Sequence, residues 1–322
     1  MIHSIFKPVD EFIRNNIQPE NPYLKSPEDI YPLLAMSVIW GLYHQTALTF
    51  VLKPLARYLF PSEPEKTLKN GGDSGVDLQK HPEDASKVAN PNKKNEEAEQ
   101  FRNKFLMSGW KFLNFGTCVA VGLYTLSQED WALSRPDYFA NYPYHPMSDT
   151  LKFYYSVGFG SVLYMFLHLG VEKMTPTDTL IMVAHHLTTL FLIGMSYFYS
   201  FHRIGSIILL LHDVSDPIME IAKMSLYCGK KAAADFFFVV FALVFILSRN
   251  VFYPFYVLTS IQEYGVWQDG TPLPTAPVRY SAEVGLWILE LMHIYWAFLI
   301  LKMAVGAILN KGVSDDIRDE DD

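Results

Sequence analysis

The chain has 322 residues, of which 50% are hydrophobic, 15% are aromatic and 19% are charged. The formal net charge of −8 comes largely from the C-terminal stretch SDDIRDEDD, so it says little about binding partners. The two cysteines are too few for a disulfide framework, and the polar opening residues MIHSIFKPVDEF predict that no cleavable signal peptide is present.

Apolar runs alternate with polar segments along the chain. Residues 1–30 form an N-terminal arm in which Ile5, Phe6, Val9, Phe12 and Ile13 have helical spacing. This arm is either a short amphipathic helix on a membrane surface or a loosely ordered segment. The apolar runs that follow are long enough to cross a bilayer, because about 20 helical residues rise roughly 30 Å. The predicted spans are 31–53, 105–127, 152–171, 178–199, 204–226, 233–258 and 281–308.

We therefore predict an all-α integral membrane protein, a polytopic bundle of about seven transmembrane helices. Residues 54–103 are rich in Pro, Gly, Asn, Lys and Glu and predict a flexible linker, whose charged end NKKNEEAEQFRNK leads into the second span as a helix. Residues 104–310 form one domain, and residues 311–322 form an acidic tail. The loops on the side of the linker and tail carry about twice as many Lys and Arg residues as the opposite loops, which places both segments in the cytosol.

Ionisable residues cluster in the fourth and fifth spans, although each costs roughly 2.5–3.5 kcal/mol at the centre of a membrane helix. The fourth span holds His185 and His186. The fifth span holds His212, Asp213, Asp216, Glu220 and Lys223. On a continuous helix, all of these five except Asp213 share one face, with Asp213 beside it. Such a polar stripe must face the interior of the bundle or a water-lined cavity.

The predicted topology makes two of these side chains nearly level in the membrane. His185 lies about 10 Å and Asp216 about 12 Å below the cytosolic face of the hydrocarbon core. A carboxylate beside an imidazole fixes its tautomer, and the imidazole can then act as a general base or as a nucleophile. We therefore predict that Asp216 orients His185, and that His186, His212 and Asp213 complete the catalytic group.

Two other interpretations of this cluster remain open. The side chains could simply hydrogen-bond to one another as packing residues, or the three histidines and two aspartates could bind zinc or iron. We predict no metal site, because the chain has no HxxxH or HxxHH box and the other histidines are scattered, among them His44, His168, His202 and His293. We expect Arg203, Arg249 and Glu290 to lie near span ends or in structural ion pairs.

Several stretches together resemble the ceramide synthases of the TLC-domain family. The most specific is HHLTTLFLIGMSY…RIGSIILLLHDVSDPIMEIAKMSLYCG, in which the HDxSD pattern is intact. RNKFLMSGWKFLNF precedes it, and VFYPFYVL and ELMHIYWAFLILKM follow. The resemblance covers about residues 100–310. The chain departs from many animal members because it lacks their homeobox-like insert.

The resemblance implies that a fatty acyl-CoA acylates the amine of a sphingoid base, giving ceramide or dihydroceramide in the endoplasmic reticulum. It implies that the histidine pair and the HDxxD acids are essential. The acyl-CoA is a co-substrate, and we expect no permanently bound cofactor. The partners are then the sphingoid base, the acyl-CoA and membrane lipid, with no nucleic acid; a homo- or heterodimer is an open alternative.

We assign the histidines and acids to acyl transfer. His185 deprotonates the amine or first accepts the acyl group itself, while His186 and His212 position groups or donate to the oxyanion. Asp213 organises the histidines or meets the cationic amine. A weaker set of substrate-binding candidates comprises Lys173 and Lys230 at the cytosolic mouth, and Arg203, Glu220 and Lys223. The lysines could equally reflect only the cytosolic excess of positive charge, and a non-catalytic sphingolipid sensor is the alternative function.

Overall fold

The computed structural model of the protein describes residues 27–61, 91–171, 175–265 and 276–310, and these ranges contain helices and connections but no β-strand. The predicted all-α class is therefore confirmed. Residues 1–26 of the arm, residues 62–90 of the linker, Lys173 and the tail lie outside the described residues. The predictions for those segments stay predictions.

Each predicted span falls on a helical segment of the structure. In chain order the helices are α1 (Ile30–Ala47), the π-helical turn π1 (Leu48–Leu52), α2 (Lys53–Leu59), α3 (Pro91–Ser127), α4 (Asp149–His168), α5 (Pro176–Phe198), α6 (His202–Asp213), α7 (Asp216–Tyr227), α8 (Lys231–Phe245), the π-helix π2 (Ile246–Leu258), α9 (Thr259–Tyr264) and α10 (Ala276–Asn310). In the described ranges, three stretches are long and apolar enough to cross a membrane: Pro176–Phe198, Lys231–Tyr264 and Tyr280–Ala307. The count of about seven crossings stays a prediction.

The outer surface of the helices is apolar. Large hydrophobic side chains on five different helices are exposed, for example Leu42, Leu123, Leu180, Leu243 and Leu291. A soluble protein rarely tolerates an apolar surface of this extent, whereas lipid tails cover it in a membrane. The protein is an all-α membrane protein.

Helix α3 is longer than the span predicted within it. It begins at Pro91 and continues for 37 residues to Ser127, so the charged stretch before the second span is helical, as predicted. At the other end of the predicted linker, α2 continues to Leu59. The two helices leave only residues 60–90 of the predicted linker without a described helix.

The fifth predicted span is two helices. Helix α6 ends at Asp213 and α7 begins at Asp216, with Val214 and Ser215 between them. Pro217 explains the break, because it lacks the N–H group that would bond to the carbonyl of Asp213. Val214 and Ser215 keep right-handed helical torsion angles, so the hydrogen-bond pattern is interrupted within the HDVSD stretch while the predicted helix face continues across it.

Packing places this break in the middle of the bundle. Helix α7 lies against α3 and α8, α6 lies against α3 and π2, and α5 packs on α4 and α10. The hydroxyl of Thr175 accepts a hydrogen bond from the backbone N–H of Asp178 at 3.2 Å, which fixes the start of α5. Tyr155 and Tyr253 are fully buried in the core that supports α6.

Candidate active site

A cavity of about 400 Å³ runs through the bundle. Its lining extends from Phe201, just before α6, to Leu226 near the end of α7, which corresponds to about 37 Å at the helical rise per residue. Most of its wall is apolar. A cavity that is this long for its volume is suited to an extended alkyl chain.

The five residues predicted to be catalytic all line this cavity: His185, His186, His212, Asp213 and Asp216. The adjacent histidine pair comes from α5, and the other three flank the break between α6 and α7. Glu220 and Lys223 line the same cavity farther along α7. The candidate residues of α5, α6 and α7 thus line one cavity, as the sequence predicted.

His185 does not pair with Asp216. No hydrogen bond or ion pair joins these two described residues, and the Nδ1 atom of His185 is buried without a hydrogen-bond partner. The imidazole instead meets the indole of Trp296 edge-on, with ring centroids 5.1 Å apart. The predicted orientation by Asp216 is therefore wrong in this structure. Aromatic packing holds the ring, and its nitrogens form no bond that a substrate would have to displace.

Asp216 pairs with Arg249 of π2. The Nη2 atom of Arg249 donates to Oδ1 of Asp216 at 2.9 Å, and the hydroxyl of Ser215 donates to the same oxygen at 3.0 Å. The same Nη2 atom also donates to the backbone carbonyl of His212. Arg249 therefore joins the end of α6 to the start of α7. Because one partner balances the other inside the bundle, losing either would leave a buried charge unpaired.

His212 has a partner for each ring nitrogen. Its Nδ1 atom lies 2.8 Å from the carbonyl oxygen of Ile208, and its Nε2 atom lies 2.9 Å from Nε2 of His293 on α10. The Nδ1 atom of His293 lies 3.3 Å from Oε2 of Glu290. His212 thus connects the cavity wall to a buried histidine–glutamate pair. This geometry does not leave His212 a free nitrogen for an oxyanion.

His186 and Asp213 differ in what they offer to the cavity. The Nδ1 atom of His186 lies 2.8 Å from the carbonyl oxygen of Met182, and a carbonyl can only accept, so Nδ1 carries the hydrogen. The carboxylate of Asp213 has no hydrogen bond to any described residue, and Asp213 lines the cavity. Asp213 is therefore placed to meet a cationic group of a substrate.

The weaker candidates occupy three kinds of position. Glu220 and Lys223 line the cavity and form a local ion pair at 3.7 Å. Lys230 is exposed in the turn between α7 and α8, away from the cavity lining, and Lys173 lies outside the described residues. Arg203 is absent from the cavity lining, and its Nη1 atom donates to the carbonyl of Asp137 at 2.6 Å. The assignment of Arg203 to substrate binding is therefore wrong in this structure.

Three residues of the site were missed as functional by the sequence analysis. Arg249 and Glu290 were expected only in structural pairs, and His293 was counted among scattered histidines. The available signal was their location, since each is an ionisable residue within a predicted apolar span. Their partners could not be inferred, because Arg249 and His293 reach His212 only through the packing of π2 and α10 on α6.

Comparison with known proteins places this geometry in a family. Residues 104–302 match the family model described as the TLC domain, which is more than half of the chain. The chain belongs to the TLC-domain family. The matched residues include α5, α6 and α7, which carry the candidate residues, and also Arg249 and His293.

Curated relatives extend over most of this TLC-domain protein. ASC1-like protein 3 of Oryza sativa subsp. japonica is 32% identical over 84% of this chain and 87% of that protein. Ceramide synthase LOH2 of Arabidopsis thaliana is 36% identical over 66% of this chain and 74% of that protein. Ceramide synthase 5 of Homo sapiens is 30% identical over 71% of this chain and 57% of that protein. The predicted resemblance to ceramide synthases is confirmed.

Proposed function

We infer that this TLC-domain protein is a ceramide synthase, an enzyme that transfers a fatty acyl group from acyl-CoA to the amine of a sphingoid base. The single observation that carries this function is the meeting of five ionisable residues in one long, mostly apolar cavity. The names of the relatives agree with it. A narrow apolar cavity accommodates alkyl chains, while its histidines and aspartates provide acid–base groups at one level.

His185 is the reactive imidazole in this proposal. As a general base, it removes a proton from the ammonium group of the sphingoid base, and the freed amine attacks the thioester carbonyl. As a nucleophile, it first accepts the acyl group and then passes it to the amine. In both routes the C–S bond breaks, an amide C–N bond forms, and the CoA sulfur leaves as thiol. Asp213 binds the cationic amine, and His186, whose Nδ1 donates to the carbonyl of Met182, helps to position the reacting groups.

The acyl-CoA enters the cavity from the cytosol. CoA is charged and water-soluble, so the thioester enters at the end of the cavity near Lys223 and Leu226, which the charge distribution assigns to the cytosol. Lys230, exposed in the turn that follows α7, contacts the CoA phosphates, and the same role for Lys173 stays a sequence prediction. We assign the protein to the endoplasmic reticulum membrane with linker and tail in the cytosol. Homo- or heterodimers are compatible with this arrangement.

An acyltransferase assay tests the proposal directly. Membranes from cells that lack their own enzyme receive a sphingoid base and a panel of acyl-CoAs of increasing length, with wild type, His185→Ala and His168→Ala compared at equal amounts of folded protein. His168 lies at the end of α4, outside the cavity lining, and controls for the loss of a histidine. We expect ceramide from wild type and His168→Ala and none from His185→Ala. If folded wild-type protein makes no product with any acyl-CoA, the proposed acyltransferase activity is overturned in favour of a lipid-binding function.

A further inference from the structure

The contacts around His212 determine where its hydrogens lie. A carbonyl oxygen has no hydrogen to give, so the Nδ1 atom of His212 must donate to Ile208. One hydrogen then lies between the Nε2 atoms of His212 and His293, which are 2.9 Å apart. If His212 is neutral, that hydrogen belongs to His293. The contact with Glu290 holds one more hydrogen, on either the glutamate or the Nδ1 atom of His293.

The groups behind His212 are enclosed by protein. His293 is fully buried, and Glu290 is 6% exposed. The phenol ring of Tyr253 covers them, with its centroid 5.1 Å from that of His293 and 5.5 Å from that of His212. Neither His293 nor Glu290 lines the cavity, whereas His212 does. The pair therefore reaches a substrate only through His212.

His212 also connects this pair to the acids of the site. Its ring is held by His293, and its backbone carbonyl accepts a hydrogen bond from Arg249, which in turn binds Asp216. Through its ring and its carbonyl, His212 at the end of α6 therefore contacts both the His293–Glu290 pair on α10 and the Arg249–Asp216 pair.

We propose that His293 is a positioning residue of the active site, which donates its Nε2 hydrogen to His212 and is itself held by Glu290. This inference rests on the proposed function for its effect on turnover. The bond supplies a donor to the Nε2 atom that the contact with Ile208 leaves unprotonated, and it fixes the ring of His212 in the cavity wall for acyl transfer.

Paired substitutions of His293 test the role of the donor. His293→Phe retains an aromatic ring and removes the N–H group, whereas the amide of His293→Gln can place an N–H near the position of Nε2. We expect kcat to fall about tenfold or more in His293→Phe, with KM within about twofold, because Nε2 of His212 loses its buried partner. We expect His293→Gln to recover most of the activity. His44→Phe, a buried histidine on α1 outside the cavity, controls for packing.

Two results would overturn the proposal. One is wild-type kcat in His293→Phe, and the other is an equal loss in His293→Gln and His293→Phe when both are folded. If either variant fails to fold, Glu290→Gln and Glu290→Met replace them. The amide of Glu290→Gln can donate to Nδ1 of His293 and retain the tautomer, so we expect kcat within about threefold of wild type and a larger loss in Glu290→Met. Equal losses in these two variants would also contradict the proposal.

A spectroscopic measurement separates this inference from the proposed function. In protein labelled with ¹⁵N-histidine, we expect His212 of the wild type to show a protonated Nδ1 and an unprotonated Nε2, with assignment by His212→Gln. We expect the Nε2 signal of His212 to shift in His293→Phe, while Nδ1 stays protonated through its bond to Ile208. An unchanged Nε2 signal in His293→Phe would overturn the inference even if ceramide is made. An absence of ceramide synthesis together with the expected Nε2 shift would overturn only the function.

Discussion

Each imidazole that lines the cavity is held in a different way. The ring of His185 packs against Trp296 and forms no hydrogen bond to a described residue, whereas the ring of His186 donates to the carbonyl of Met182. His212 is bonded through both ring nitrogens. Three residues of one chemical type therefore have three environments. His185, whose ring forms the fewest hydrogen bonds, is the best placed to react. His212, whose ring is the most constrained, is suited to stabilise the site.

Arg203 provides a test of the structural correction at a single residue. Its guanidinium donates to the carbonyl of Asp137 and lies 5.4 Å from the ring centroid of Trp131, so it fastens the loop before α4 to the start of α6. We expect Arg203→Met to lower the free energy of unfolding by about 1–2 kcal/mol, with kcat and KM unchanged. Thermal unfolding in detergent and the acyltransferase assay measure the two effects. A raised KM for acyl-CoA at unchanged stability would restore Arg203 to substrate binding.

Sequence reasoning found those site residues whose location alone was informative. His185, Asp213 and Asp216 stand out because an ionisable residue in a membrane helix needs a compensating environment. Pairing was less predictable, since a helical wheel describes one helix and the bond from Arg249 to Asp216 crosses between two. The level His185–Asp216 pair was inferred from depth alone, and depth does not determine which side chains face each other.

The helix break is the main feature at the scale of an element. It exposes the carbonyl of His212, which a continuous helix would use internally, and Arg249 occupies it. It also allows His212 and Asp213 to come from one helix end while Asp216 comes from the start of the next. A short irregular segment thus collects acid–base groups within a membrane bundle, where irregular backbone is tolerated only beside a cavity or buried in protein.

Substitution of Pro217 tests whether the break matters for catalysis. Pro217→Ala supplies the missing N–H group, so the carbonyl of Asp213 can form an ordinary helical hydrogen bond. We expect unfolding stability to be retained and kcat to fall about 10- to 100-fold, because the acids shift relative to His185. Pro176→Ala, at the exposed first position of α5, is the matched control. Unchanged kcat in Pro217→Ala would show that the break is only structural.

Hydropathy predicted the helical segments well but not their irregularities. Apolar runs of sufficient length must satisfy their backbone internally in lipid, which makes a helix the expected result. The apolar pattern continues across Val214, so only Pro217 signalled the break. Residues 246–258 contain Pro254, which removes one helical N–H group, but a single proline does not predict a π-helix of 13 residues. Tertiary packing decides such local differences.

The cavity determines how the whole molecule would accommodate two lipids. With CoA at the end near Lys223, the acyl chain of the thioester extends past the histidines towards Met195 and Phe201. Helices α5 and α6 contribute to the wall along this path and also carry candidate reactive groups. The same two helices therefore affect both the room for the acyl chain and the placement of these groups.

Two substitutions at the far end should change the acyl-chain preference in opposite directions. Phe201→Ala removes a ring that stacks on Tyr142 at 5.0 Å and should shift the product towards longer acyl chains, while Met195→Trp should shift it towards shorter ones. Mass spectrometry of ceramides formed from an equimolar acyl-CoA mixture measures both shifts. Phe191→Ala, on the outer face of α5, should leave the profile unchanged. Equal profiles for all three variants would place the acyl chain elsewhere.

The length of α3 has a practical consequence for imaging. The helix has 37 residues and is about 55 Å long, whereas the predicted span within it accounts for about 34 Å. If the predicted span is correct, the first part of α3 extends about 20 Å beyond the lipid. A membrane protein of 36.9 kDa gives electron-microscope particles few features for alignment. A soluble helical protein fused in phase to the start of this helix would provide a fixed marker that reports the orientation of the enclosed catalytic helices.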